Sequence, residues 1–153
     1  MEDKFYLTKQ GIEKIKQEYK ELLLTKQEKM RTGAPVAFHS EELDTEFVAF
    51  KEDLELIEAR EADLEYILKN SVLIEKPTTE EQNQVGLGAK VLVDVDGETD
   101  EFILVGTLEA NPIEGKISNE SPIGKALFGK KVGDIIQLNS PVAVNYKIKR
   151  INY

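Results

Sequence analysis

The chain has 153 residues, no cysteine, 32% charged and 41% hydrophobic residues, and a formal net charge of −9. That length suits one or two small domains, and the lack of thiols excludes disulfides and thiolate metal sites. The acidic balance argues against a protein that grips duplex nucleic acid through its own phosphate contacts, because those need clustered Lys and Arg.

The opening Met1-Glu2-Asp3-Lys4 is followed by no long apolar run, so neither a leader nor a membrane span is expected, and the cytoplasm is the expected compartment. From Thr8 the pattern predicts a helix. Thr8 is a good N-cap, and Leu7 before it can pack on Ile12 as a hydrophobic staple. Ile12, Ile15, Tyr19 and Leu22 then follow a 3-4-3 spacing. Lys26 interrupts this seam and Met30 is expected to resume it. The stop is Thr32-Gly33-Ala34-Pro35, where Gly and Pro break a helix.

A short polar connection follows, and Glu41, Glu42, Asp44 and Glu46 are expected at its tip. The next helix carries Phe47, Phe50, Leu54, Ile57, Leu64 and Leu68 at 3-4 spacing, with Glu61 in the one slot that is not apolar. A heptad repeat on two segments joined by a short connection reads as an antiparallel coiled coil. At 1.5 Å per residue such an arm is roughly 35 Å long. The expected pairs are Ile12 with Leu68, Ile15 with Leu64, Leu22 with Ile57, and Tyr19 with Glu61. The two helices differ in charge. Thr8 to Arg31 holds seven basic and four acidic residues, whereas Glu41 to Asn70 holds three basic and eleven acidic. The acids from Glu52 to Glu65 read as a solvated helix face. Four acids within six residues at the tip repel one another and call for another reason.

From Val72 the period changes to two. Lys76 to Gln84 is a polar linker, and strands are expected over Ala89–Val95, Glu101–Leu108, Lys116–Ser118, Ile135–Leu138 and Val142–Ile151. Asp96-Gly97 marks a hairpin turn. Val142, Val144, Tyr146 and Ile148 are expected on one face of the last strand. Ser121 as N-cap, Pro122 at the first helical position and Gly129 as the stop frame one short helix. The expected architecture is α+β: a coiled-coil hairpin over residues 1–75 and an antiparallel sheet with one short helix over 76–153.

Several of these segments are similar to a known family. Leu7-Thr8-Lys9-Gln10-Gly11 with Ile15, Glu18, Tyr19 and Leu22 resembles the opening of the bacterial Gre transcript-cleavage factors. Lys51-Glu52, Ile57-Glu58-Ala59-Arg60 and Leu64-Glu65 resemble their second helix. The most specific runs are Glu109-Ala110-Asn111-Pro112, Gly115-Lys116-Ile117-Ser118 and Ser121-Pro122-Ile123-Gly124-Lys125-Ala126-Leu127. The resemblance implies an FKBP-like second domain that docks at the rim of the secondary channel of RNA polymerase. It also implies an arm that reaches toward the polymerase active site. There two tip acids help the polymerase hold a second Mg²⁺, and backtracked RNA is cleaved at its 3′ end.

The family tip reads Gly-Asp-Leu-Ser-Glu-Asn-Ala-Glu-Tyr, against His39-Ser40-Glu41-Glu42-Leu43-Asp44-Thr45-Glu46-Phe47 here. Without a gap the metal-holding positions fall on Ser40 and Leu43. A shift of one residue puts them on Glu41 and Asp44, at the same three-residue spacing, which on a helix brings Cβ atoms to about 5–6 Å. The resemblance therefore implies Glu41 and Asp44, with Glu42 next, as the acids that share Mg²⁺ with polymerase, and no cofactor of the chain's own. The basic helix lacks a dense Arg/Lys cluster to hold the RNA 3′ end, although Lys14, Lys16, Lys20, Lys26 and Lys29 offer some positive field. His39 is expected to be a solvent-exposed tip residue. Three other readings stand beside this one: a Gre-like regulator that occupies the channel without promoting cleavage, an FKBP-type prolyl isomerase, and a purely structural hairpin. An isomerase needs an aromatic pocket, and after Val85 only Phe102, Phe128, Tyr146 and Tyr153 could build it.

Overall fold

The computed structural model describes residues 3–33, 41–139 and 142–153, the side chains of 41–44 excepted. His39, Ser40 and the Ala34-Pro35 stop lie outside the described residues. The chain forms two compact units, Ile12–Asn70 and, separately, Met1–Gly11 with Ser71–Tyr153.

The first unit is the arm, made of helices α1 (Lys9–Thr32) and α2 (Glu41–Lys69). Thr8 caps α1 as expected, its Oγ1 accepting a hydrogen bond from the Gly11 N–H at 3.0 Å. At the other end Gly33 takes φ 74° and its N–H donates to the Lys29 carbonyl at 3.2 Å, the left-handed stop that a side chain would resist. The covered face of α1 is Ile12, Ile15, Tyr19, Leu22, Lys26 and Lys29, and that of α2 is Phe50, Leu54, Ile57, Glu61, Leu64 and Leu68. Leu64 is fully buried. Two expectations are corrected here. The heptad does not break at Lys26 but runs through it to Lys29, leaving Met30 60% exposed. Phe47 is 41% exposed, so the seam on α2 starts in practice at Phe50. Lysine can fill a seam slot because its four-carbon stem packs while its ammonium reaches the edge.

The second unit holds the sheets. Two short strands that alternation alone does not reveal, β1 (Phe5–Leu7) and β2 (Ser71–Leu73), pair in parallel, Leu7 opposite Leu73. Leu7 is fully buried, and its carbonyl accepts from the Ile74 N–H at 2.8 Å. Residues 5–11 and 71–75 therefore fall in the sheet unit, which shifts the boundary expected at 75/76.

The main sheet has order β5-β4-β3-β7-β6, with β3 Lys90–Val95, β4 Glu98–Val105, β5 Lys116–Ser118, β6 Ile135–Leu138 and β7 Val144–Asn152. Asp96 (φ 52°) and Gly97 (φ 89°) make the expected β3–β4 turn, and the Asp94 carboxylate accepts from the Gly97 N–H at 2.9 Å. The sheet is not wholly antiparallel, since β5 joins β4 in parallel. Nor does β7 alternate throughout. A register shift opposite Leu92/Val93 leaves Lys149 and Arg150 both outward and returns Ile151 inward, as a bulge does. Val142 precedes β7 and is 69% exposed.

Val85, Val91, Val93, Leu104, Leu127 and Ile148 form the core of this unit. Helix α3 (Pro122–Leu127) closes it, with the Ser121 hydroxyl accepting from the Gly124 N–H at 3.1 Å. In a 3-10 turn after β4, Glu109 points its carboxylate at the first turn of α1. It accepts from the Thr8 N–H at 2.7 Å and from the Thr8 hydroxyl at 2.6 Å. A Cβ at Gly11 would lie 2.5 Å from that carboxylate, so glycine is what admits it.

Candidate functional site

Glu41, Glu42 and Asp44 stand in the first turn of α2 and Glu46 in the next, so they belong to the helix and not to the connection before it. Acids in a first helical turn meet the positive end of the helix dipole, which gives them one structural reason to be there. Within the arm unit this turn lies at the end opposite Ile12 and Asn70.

Behind it, charges are paired across the two helices. Lys26 Nζ lies 2.8 Å from Glu61 Oε2 and 3.7 Å from Glu58 Oε1. Lys29 Nζ lies 3.2 Å from Asp53 and sits over the Phe50 ring, 4.9 Å from its centre. Arg60 pairs with Glu18 at 2.7 Å. The basic helix and the acidic helix thus neutralise one another in part, and Lys26 and Lys29 are both engaged with acids of α2. Tyr19 donates to Glu65 at 2.6 Å, not to Glu61 as the pairing predicted, because Lys26 holds the Glu61 carboxylate. Among the described residues no three His, Cys, Asp or Glu side chains converge as metal ligands.

These contacts raise the pKa of two groups. The hydrogen bond to Glu61 raises Lys26, and the bond to Glu65 raises the Tyr19 hydroxyl. A raised folded-state pKa stabilises below the unfolded value and is lost as pH climbs through the folded one. Arm helicity in the wild type is therefore expected to fall on alkaline titration above the ordinary Tyr and Lys values of 10.0 and 10.5. Circular dichroism of a Tyr19→Phe/Lys26→Met variant should show a shallower alkaline fall; an equally steep one contradicts the assignment.

In the sheet unit the four aromatic residues considered for a prolyl pocket divide into two sets. Phe102 and Tyr146 meet edge to face at 6.3 Å. Phe128 and Tyr153 line a different groove with Tyr6, Leu73 and Gln84, and Tyr153 is tied there by donating to the Gln84 carbonyl at 2.6 Å.

Relatives bear directly on this layout. Residues 79–153 match the family described as transcription elongation factor GreA/GreB, C-terminal domain. The transcription elongation factor GreA of Clostridium acetobutylicum is 41% identical, over 98% of this chain and 98% of its own. The chain belongs to the GreA/GreB family. Another member, GreA of Thermomicrobium roseum, is 34% identical over 88% of each chain. A crystal structure of GreA factor homolog 1 from Thermus thermophilus is 29% identical and covers 99% of this chain and all of its own, with a TM-score of 0.43. The GreA/GreB resemblance read from the motifs is borne out over nearly the full length. As the resemblance implied, the structure joins a helical hairpin to a mostly antiparallel sheet. Among the described residues no helix is long and apolar enough to cross a membrane.

Of two features in this GreA/GreB member, one escapes a reading of the sequence and the other is visible in it. Glu109 acts on Thr8, 101 residues away, and no local pattern announces that. Lys26 and Glu61 do leave a signal: each is a charged residue in a heptad slot, one on each helix.

Proposed function

We propose that this GreA/GreB family member is an accessory transcription elongation factor that binds RNA polymerase at the secondary channel and stimulates cleavage of backtracked RNA. The sheet unit docks at the channel rim, and the arm brings the start of α2 to the polymerase active site in the cytoplasm. The observation that carries this reading is a two-helix arm whose second helix begins on Glu41, Glu42 and Asp44, in a chain similar to GreA from end to end.

The donor set fits a magnesium ion shared with the polymerase. Carboxylate oxygen is what Mg²⁺ takes, and one or two carboxylates leave the rest of its octahedral shell to other ligands. Glu41 and Asp44 would hold it, with Glu42 adjacent; when bound, the ion supplies activation of a water for attack on the RNA phosphodiester. The chain itself contributes the acids and the rod that carries them. Cleavage remains the polymerase's own reaction.

One observation favours a second reading. In the ungapped tip register, Ser40 and Leu43 take the metal-holding positions, and such a factor would occupy the channel without promoting cleavage. The isomerase reading gains no support, because its aromatic residues do not meet in one groove.

Backtracked polymerase complexes with labelled RNA test the proposal. Adding the chain should accelerate release of 3′-terminal fragments by about two orders of magnitude. Binding with slowed nucleotide addition and no faster cleavage establishes the second reading. Absence of binding overturns both.

A further inference from the structure

Helix α1 begins without an acid of its own: Lys9, Gln10, Gly11 and Ile12 make its first turn. In a capping box the N-cap Thr or Ser accepts from the N–H three residues on, and a Glu at that position reaches back to accept from the N–H of the cap. The first half is present here, since the Thr8 hydroxyl oxygen accepts from the Gly11 N–H at 3.0 Å. Gly11 has no side chain to supply the second half. Glu109 supplies it instead. Its Oε2 accepts from the Thr8 N–H at 2.7 Å, the bond that a local Glu would make, and its Oε1 accepts from the Thr8 hydroxyl at 2.6 Å. The box is complete, but its acid lies 101 residues from Thr8 in the chain.

Two glycines make room for that acid. A Cβ at Gly11 would lie 2.5 Å from the Glu109 carboxylate carbon. The glutamate can swing aside, but only by giving up its bonds to Thr8. A Cβ at Gly106, just before the 3-10 turn Thr107–Glu109, would meet the Tyr6 carbonyl, so that turn lies hard against β1. Thr8, Gly11 and Glu109 all belong to the sheet unit, while α1 runs on unbroken to Thr32. A carboxylate here also meets the positive end of the helix dipole. A Glu at position 11 would serve the helix as well. It would tie the helix to nothing else.

We propose that Glu109 is a positioning residue: by completing the cap of α1 from the sheet unit, it makes the root of the arm move with that unit. The β1–β2 pairing fixes where the chain leaves for the arm and where it returns. Two such crossings still permit rocking about the line that joins them, and a third attachment is what stops it. The share of Glu109 in cleavage rests on the reading given above, in which the sheet unit holds the polymerase while the arm delivers the acids.

The test separates the cap from the tie. Glu109→Ala removes both, whereas Glu109→Ala/Gly11→Glu rebuilds a local capping box and leaves the tie broken. Amide exchange and backbone relaxation are measured by NMR on the free chain. In Glu109→Ala the Thr8 amide should exchange roughly tenfold faster, while the core amides of Val91, Val93 and Leu104 keep their wild-type rates. Arm amides should then reorient faster than sheet amides, where the wild type gives one common correlation time. In Glu109→Ala/Gly11→Glu the Thr8 amide should be protected again and the arm should stay loose. An arm that tightens again shows Glu109 to be a cap alone and overturns the proposal, as does an arm no looser in Glu109→Ala than in the wild type. With backtracked polymerase, both variants should lower the maximal cleavage rate roughly tenfold at an unchanged half-saturating concentration, a split that loss of folded chain does not produce. A wild-type chain that promotes no cleavage counts against the functional reading, and the relaxation measurement still decides this one.

Discussion

Replacing Glu41 and Asp44 together by alanine is expected to abolish stimulated cleavage while leaving polymerase binding intact. Two negative charges that share a metal with the polymerase are worth most as the attacking water and the leaving oxygen develop charge, so their loss should appear in rate and not in affinity. A fall of about 100-fold, to the polymerase's intrinsic rate, is the expected size. Folding should survive, because each acid in a first helical turn contributes only about 0.3–1 kcal/mol. The variant should therefore compete with the wild-type chain for backtracked complexes at unchanged affinity. Glu42→Ala is expected to have a smaller effect. Ser40→Ala with Leu43→Ala serves as the counterpart: if that variant loses cleavage and the acid variant keeps it, the ungapped register is the working one. Full activity in the Glu41→Ala/Asp44→Ala variant removes both residues from any metal role.

Gly124→Ala should be among the most damaging single-methyl changes in the sheet unit, with Gly106→Ala, whose added Cβ would meet the Tyr6 carbonyl, beside it. At Gly124 an added Cβ would run into the Ser118 carbonyl oxygen and approach the Ser121 hydroxyl to 3.0 Å. Neither can step aside. The Ser118 carbonyl already accepts from the Ser121 hydroxyl at 2.7 Å, and that hydroxyl caps α3. A backbone collision at a junction fixed this way should cost about 3 kcal/mol. Gly129→Ala makes the comparison. Its φ is 79°, but nothing lies within 4 Å of its Cβ position, so backbone strain of about 1 kcal/mol is the whole expected effect. Urea denaturation followed by circular dichroism should give a midpoint markedly lower for Gly124→Ala than for Gly129→Ala. The reverse order would mean that Gly124 does not lie against the Ser118 carbonyl.

What could be read in the chain beforehand follows from the range of the interactions involved. Thr8, the heptad at Ile12 to Leu22, the Asp96-Gly97 turn and the Ser121 cap are decided by residues within one or two turns of each other, and the structure keeps them all. Apolarity alone selects Met30 as the continuation of the seam. Spacing was the better guide, and it selects Lys29. Position alone pairs Tyr19 with Glu61; the competing claim of a lysine on that carboxylate depends on how far a long side chain leans toward its own N-terminus. Strands of three residues, such as β1 and β2, carry too little alternation to stand out in a sequence, and a bulge in β7 inverts an otherwise uniform period. At the candidate site, three-residue spacing of acids was legible and the helix now begins on them.

The pairing of β1 with β2 has a consequence for the arm's place in the chain. Strands running in the same direction cannot be linked by a tight turn; they need a long return path. Here the return path is the entire hairpin, which leaves after Leu7 and comes back before Leu73. The arm is in that sense an insert spliced between two neighbouring threads of the base. It can gain or lose whole heptads, or be exchanged for another hairpin, without disturbing either thread.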